Sequence, residues 1–587
     1  MNMGSLSNGF IEYNKNKPSF KTEGLSFCCF LILLVVPNMV FSGEFWYQTL
    51  HPMKWVVTLV PLCIMLFFAF IKSFAERARG FLWDSFSLIA TFFLIFLSLQ
   101  PLWIPISSWS TYLLAWFSFA ALWLLYIITF NIFNETWLPW IFLSSGLAGA
   151  VSVFFAELQI HSLHKPFFFI LQTPGHYIAN TGQQNMLALW LAICSLNLMF
   201  LFLYVPAFSK KGWDLPRDGI LILLLAVTEW GLWNTTSRSA IFGIISGLLF
   251  MAIGVWCSGN KDIKRRALCI ILIFFAIMTA TVELNEGRIG TLKDKFRDIV
   301  ENPTSVGQRD SIWLTSWYMF RQHPFRGVGL GHYKWNYLKA QGAMLEEHPE
   351  KKWQYTYWAH NEFLQWLCET GVVGGALLFT VVCWWFCHFV SVLYKKAPLS
   401  LEALWGSSLV VLFGGTALWT RPFHRIEDAV WLAVALGVAN RDILQEEFCV
   451  RFSLEKNRFI MALFSGVAVG GLIFLGHGLY SDRLIAKAFE EKNMALQMDC
   501  LNRASQSLMV RSLAQKELAH LLLACGEGGR DPELLAEGLN RMYALFQKEP
   551  HVKEFRVLLD WGIKLGKKDL VFELSRYLHP SVRGTVP

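Results

Sequence analysis

The run Asn185-Met-Leu-Ala-Leu-Trp-Leu-Ala-Ile-Cys-Ser-Leu-Asn-Leu-Met-Phe-Leu-Phe-Leu-Tyr204 contains no charged residue. A helix of this length rises about 30 Å, the hydrocarbon thickness of a bilayer. Strands that cross a bilayer read instead as alternating segments of ~10 residues. The rest of the chain agrees. Of its 587 residues 54% are hydrophobic, 16% aromatic and only 16% charged, with a mean hydropathy of +0.41. Soluble domains carry about 25% charged residues, so a soluble globular protein is excluded. The expected fold is all-α, a polytopic helical membrane protein.

Working outward with a window of ~20 residues gives thirteen expected spans: 25–41, 54–71, 81–99, 111–130, 137–156, 185–204, 219–233, 239–257, 267–282, 361–390, 403–419, 429–440 and 459–479. The first has a long polar leader and no small-residue cleavage site after it, so it is expected to be a retained helix rather than a signal peptide. Orientation follows from Lys and Arg in alternate connections. Nineteen, from Lys15 to Arg458, fall on one side. Five (Lys54, Lys165, Arg238, Arg421 and Arg425) fall on the other, one long loop left aside. This places the N-terminus in the cytoplasm. The net charge of +8 thus reports orientation, and no nucleic-acid partner is expected. The 12 cysteines lie mostly inside apolar runs and show no zinc-type spacing; Cys500 and Cys525, in a polar region, could pair.

The expected organisation is a cytoplasmic segment 1–24, a membrane domain 25–479 with an external loop 283–360, and an external tail 480–587. The tail reads as amphipathic helices over 481–500, 502–525, 532–548, 552–565 and 568–578. These suggest a short tetratricopeptide-like solenoid or a plain helical bundle on the membrane domain.

Chemistry is expected where polar residues interrupt the apolar runs on the external side. Asn234-Thr235-Thr236-Ser237-Arg238-Ser239 is a tight polar connection whose arginine opposes the charge bias. Such a residue either snorkels to headgroups or serves an anionic ligand. The loop then holds Gly307-Gln308-Arg309-Asp310-Ser311-Ile312-Trp313 and the turn-rich Pro324-Phe325-Arg326-Gly327-Val328-Gly329-Leu330-Gly331. A structural turn is the plainer reading of the glycines, a phosphate cradle the functional one. The loop closes on His360-Asn361 at a helix entrance, with Gly371 and Gly374 spaced for close helix packing.

The arrangement His360-Asn361, nine residues, Gly371-x-x-Gly374 after a long external loop resembles the O-antigen ligase superfamily. Gln308-Arg309-x-x-x-Trp313, the Pro324 to Gly331 run and Thr236-Ser237-Arg238-Ser239 fit it too. Gly182-Gln183-Gln184-Asn185 is similar to the Gly-Gln-Pro-Asn segment of its pilin-type protein O-oligosaccharyltransferases, with Gln184 in place of proline.

The resemblance implies an inner-membrane glycosyltransferase without metal or other cofactor. Its donor would be an undecaprenyl-diphosphate-linked glycan, its partners membrane lipid and a glycan or protein acceptor. Charge on a departing diphosphate is suited to bidentate guanidinium contacts. Arg238 and Arg309 are the first candidates and Arg421, Arg425 and Arg326 the supporting ones. His360 is the candidate base for the acceptor hydroxyl, with Asn361 orienting it or the acceptor, and direct displacement would invert the anomeric centre. Asp310 is expected to steady Arg309, and no Asp-x-Asp stands in the external segments to hold a metal.

Polymerisation of a growing glycan is the alternative within the superfamily. A secondary transporter would need midplane ionisable groups in two related halves; Glu229 and Glu369 lie toward the external ends of their spans and no half-to-half repeat shows. A scaffold displaying the tail would not need external arginines.

Overall fold

The computed structural model describes residues 20–75, 82–204, 214–257, 260–284, 307–394, 399–443, 450–451 and 454–583. The leader 1–19 and part of the external loop lie outside these. All thirteen apolar runs fall on helices: α1 (Phe20–Val35), α2 (Pro52–Ala75), α3 (Ser85–Leu99), α4 (Trp109–Ile132), α5 (Leu138–Ile160), α6 (Gln184–Tyr204), α7 (Asp214–Asn234), α8 (Arg238–Cys257), α9 (Lys261–Leu284) and, beyond the external loop, α12 (Glu362–Tyr394), α13 (Leu401–Ala417), α14 (Ile426–Ile443) and α15 (Leu454–Glu490). The loop itself contributes α10 (Gly307–Gln322) and α11 (Tyr333–Glu347).

Among the described residues nine helices are long and apolar enough to cross a membrane, and two more apolar helices are shorter. The chain is a multi-pass helical membrane protein. The remaining two, α7 and α14, carry four charged residues each, Asp214, Arg217, Asp218 and Glu229 in one and Glu427, Asp428, Arg441 and Asp442 in the other. Two two-residue strands, Leu82–Trp83 and Val450–Arg451, pair antiparallel at the start of α3 and α15.

The quoted run is the centre of the bundle. From Leu187 to Leu203 every residue of α6 is buried, as expected of a helix apolar all round, and α5, α7, α8, α9 and α13 surround it. The amide within this buried stretch is used across helices: Asn197 Nδ2 donates to Ser145 Oγ at 2.9 Å, and its Oδ1 accepts from Trp405 Nε1 at 2.8 Å. Such bonds, with small residues at close crossings, hold membrane helices together. On α8 a Cβ at Gly243, Gly247 or Gly254 would run into Thr416, Ser408 or Leu404 of α13 and its flanks.

The connections gather at two opposite ends. At one, Asn440 Nδ2 donates to Tyr126 Oη at 2.8 Å, Tyr126 Oη to Asp84 at 2.5 Å, and Arg441 Nη2 to Thr129 O at 2.6 Å. At the other, Asn38 Nδ2 donates to Glu427 O at 3.1 Å, Gln48 N to Asp482 at 3.2 Å, and Ser108 N to His332 Nε2 at 3.1 Å.

The tail departs from expectation at its start. Helix α15 does not stop near residue 480 but runs 37 residues to Glu490. Nothing between Tyr480 and Glu490 is Gly or Pro, so loss of hydropathy there ends an apolar surface and not a helix. Asn493, accepting from Ala495 N at 2.9 Å, then caps α16 (Met494–Ala504). The expected helix 502–525 is likewise shorter, as α17 (Arg511–Gly529). Beyond it, α18 (Pro532–Lys548), α19 (Val552–Lys564) and α20 (Lys568–Ser575) each pack on the next, followed by one turn, α21 (Pro580–Arg583). Their core of Leu523, Leu539, Met542, Phe546, Phe555, Leu558 and Leu574 takes in Leu338 of α11, so the tail is packed onto the external loop. Cys500 and Cys525 carry free thiols.

Candidate active site

Four of the expected side chains share one end of the bundle. Arg238 opens α8 behind a turn in which Thr236 has φ 51° and Ser237 Oγ donates to Asn185 Oδ1 at 2.9 Å. The Gly182–Asn185 segment and the arginine turn, apart in sequence, are therefore one unit. Arg309 lies in the first turn of α10. His360, with φ 51°, precedes α12, and Arg421 stands between α13 and α14. A non-glycine residue held at positive φ is uncommon and stays so only where its surroundings impose it.

Their electrostatics couple Arg238 to Arg309, and Arg309 and Arg421 to His360. Burial and the neighbouring Arg238 guanidinium hold Arg309 below the usual arginine range. Burial, then Arg309 and Arg421, push the His360 imidazole down to about 4. Burial brings Arg421 down to about 9, Arg425 adding to the fall while Glu362, Glu427 and Asp428 oppose it. At neutral pH the mouth thus combines cationic guanidinium groups with a neutral imidazole. Indoles support it. Arg421 Cζ lies 3.6 Å from the centroid of Trp358, Arg309 Cζ 6.0 Å from that of Trp419, and Trp419 packs on Trp313 at 5.9 Å. Cation–π contact of this kind holds a guanidinium in place without cancelling its charge. His360 Nε2 is 3.4 Å from Thr356 Oγ1.

The other expected residues do different work. Arg425 is buried against Glu427 and Asp428, both at 2.8 Å, so its charge is spent in the protein. Glu427 also lies 3.6 Å from the buried Lys54. Arg326 is exposed and donates to Trp103 O at 3.2 Å, on the glycine turn and outside the cluster. Asn361 caps α12, its Oδ1 accepting from Leu364 N at 2.9 Å, and its Nδ2 donates to Leu418 O at 3.2 Å, tying the His360 segment to the one that carries Arg421. Asp310 does not steady Arg309; it pairs with Lys351 Nζ at 2.8 Å.

The glycine run is a structural turn. Gly371 interrupts α12 with φ 66° and ψ −170°, which frees backbone groups on both sides of the break. Val328 N donates to Cys368 O at 2.9 Å, Gly329 N to Glu369 O at 3.0 Å, and Val372 N to Pro324 O at 2.7 Å. Gly331 N meets Glu369 Oε2 at 2.8 Å and Leu330 N meets Gln100 Oε1 at 3.0 Å. Buried backbone groups at a helix break require such partners, and with them in place the amides are not free to cradle phosphate. Gly371 is therefore needed for its backbone angle as well as for the close packing its spacing suggests.

Three groups behind the mouth were not expected there. His424 Nδ1 sits 2.7 Å from Glu362 Oε2 and its Nε2 3.9 Å from Glu369 Oε2, all three side chains buried. Burial opposes the charge on His424, but Glu362 and Glu369 outweigh it and push the imidazole up to about 10. Glu362 directly follows His360-Asn361, and His424 lies between Arg421 and Arg425. That adjacency was the available signal, although the pairing itself joins residues 62 positions apart.

The family model Wzy_C, described as O-antigen ligase, matches residues 220–379. The match takes in Arg238, Arg309, the glycine run and His360-Asn361 and ends before Arg421. Comparison with curated proteins finds no match.

Proposed function

We propose, from the premise that residues 220–379 match the O-antigen ligase family and support membership of that superfamily, that the chain is a membrane glycosyltransferase. It moves a glycan from an undecaprenyl-diphosphate donor to an acceptor hydroxyl on the periplasmic side of the inner membrane. One observation supports this reading: Arg309 and Arg421 flank a neutral His360, and Arg238 stands beside Arg309. In this reading the chain crosses the membrane thirteen times, with a cytoplasmic N-terminus and the tail 480–587 in the periplasm.

The acceptor oxygen attacks the anomeric carbon as its bond to the diphosphate oxygen breaks, with inversion. The electron pair leaves on undecaprenyl diphosphate, whose charge the guanidinium groups stabilise, so no metal is needed. The acceptor proton passes to the His360 imidazole. The same arginines that depress the basicity of His360 in the empty site are neutralised by the bound diphosphate, so donor binding strengthens the base. The acceptor is lipid A core, a protein or the growing glycan itself.

The test uses membranes that hold the cell's own pool of undecaprenyl-diphosphate-linked glycan. His360→Ala should slow consumption of that pool by ~100-fold or more while the purified variant still binds undecaprenyl diphosphate. Parental turnover per folded molecule in this variant would overturn the assignment. Loss of glycan from lipopolysaccharide, a glycoprotein or a free polymer on deletion of the gene identifies the acceptor.

A further inference from the structure

No contact joins His424 to His360 or Arg309, yet its neighbours join the Arg421 segment, the start of α12 beside His360 and the glycine turn. Its Nδ1 bonds Glu362, two residues past His360, at 2.7 Å. The other oxygen of Glu362 accepts from Phe423 N at 2.7 Å and His424 N at 3.3 Å, fastening the Arg421 segment to the first turn of α12. Glu369, 3.9 Å from His424 Nε2, accepts from Gly331 N at 2.8 Å and Gln365 Nε2 at 3.1 Å. Its carboxylate therefore also holds the glycine turn, and Gln365 Oε1 in turn accepts from Ala359 N at 3.3 Å, next to His360. At 3.9 Å the His424 Nε2 contact is an ion pair and not a hydrogen bond. Phe119 and Trp366 close the pocket at ring distances of 5.7 and 5.6 Å. Trp358, the indole under Arg421, lies 6.0 Å from the His424 ring.

A buried imidazole between two carboxylates is costly to desolvate, and replacement by well-packed apolar groups is often neutral or better for stability. Such a group is best understood through what it aligns. We propose that His424, clamped between Glu362 and Glu369, is a positioning residue that sets Arg421 and Trp358 against His360. The inference rests on the glycosyltransferase reading of Arg421 and His360. It adds a residue beyond the matched family segment, which ends at residue 379.

A double-mutant cycle tests it. Turnover per folded molecule is read as consumption of lipid-linked glycan in membranes, with undecaprenyl diphosphate as the binding probe for purified protein. His424→Gln should reduce turnover by tenfold or more in the parent. In an Arg421→Ala background the same change should cost less than twofold, because the residue it aligns is gone. Glu362→Gln keeps an oxygen for the Phe423 and His424 amides while removing the charge. It should repeat the pattern, and it provides the measurement if His424→Gln does not fold. Parental turnover in both single variants, or losses that simply add to that of Arg421→Ala, would overturn the positioning role. Parental turnover in Arg421→Ala alone would instead refute the reading of Arg421, and the positioning role with it.

Discussion

At the scale of single residues, the arginines near His360 differ in what the protein packs against them. Arg238 and Arg309 were legible because each stood in a short external motif, and Arg421 because it opposed the charge bias. Arg425 carried the same signal. Only the structure shows it spent on Glu427 and Asp428, since charge counting along a chain does not reveal partners in space. Arg309→Ala should weaken undecaprenyl diphosphate binding by about 1.5–3 kcal/mol, the worth of a hydrogen bond to a charged group. Lys should rescue it partly, lacking the planar fork; Arg425→Ala should instead lower thermal stability, leaving Glu427 with only Lys54 and removing the ion pair of the buried Asp428. The pH profile follows from His360. As the proposed base it works when neutral, so activity should be lost as pH falls through its pKa, which in the free protein is about 4. The acid limb of kcat/KM, which reports the free enzyme, should therefore lie near pH 4, well below the ~6.5 of an unperturbed histidine. The acid limb of kcat should lie higher, because bound diphosphate offsets Arg309 and Arg421. Coincident limbs would deny that the arginines and His360 share one donor site.

At the scale of elements, each apolar run of the sequence falls on a helix, because hydropathy depends only on local composition. The break in α12 was not legible, since Gly371-x-x-Gly374 equally fits plain close packing. What requires the glycine is φ 66° together with Phe325 O, into which a Cβ would run. Gly371→Ala should cost upwards of about 1–3 kcal/mol, the range for backbone strain, with the clash added. A thermal melt in detergent measures it, and an unchanged midpoint would mean that the break relaxes freely. The segment 349–361 that delivers His360 has no helix of its own until Glu362. Side chains fasten it to the tail instead: Trp353 Nε1 donates to Tyr577 O at 2.8 Å, and Tyr357 Oη lies 2.6 Å from His551 Nε2. His551→Ala should thus reduce transfer roughly two- to tenfold, the effect of one net hydrogen bond, and speed proteolysis within 349–361. Equal protease resistance would show that the tail does not steady the segment.

At the scale of the whole molecule, the alternation of charged connections predicts which helix ends share a side of the membrane. Cysteines replacing the exposed Lys339 and Gly528 should both react with an impermeant thiol reagent from the periplasmic side, against the background of the parent's own thiols. Lys261→Cys should not, and labelling of only one of the first two would break the thirteen-span arrangement. The tail's helices were legible from their amphipathic periods. Their docking was not, because Leu338 of α11 joins the cluster of Leu539 and Phe546 only after some 200 residues of intervening chain are folded. The 37 residues of α15 rise about 55 Å at 1.5 Å each. A bilayer core absorbs about 30 Å of that, which leaves some 25 Å upright beyond it. Tyr47, stacked on Phe489 at 5.8 Å, and Gln48, bonded to Asp482 at 3.2 Å, brace that stem from the side. In the proposed glycosyltransferase it would act as a strut of set height, so that an acceptor resting on the tail would be presented at a fixed altitude above the lipid.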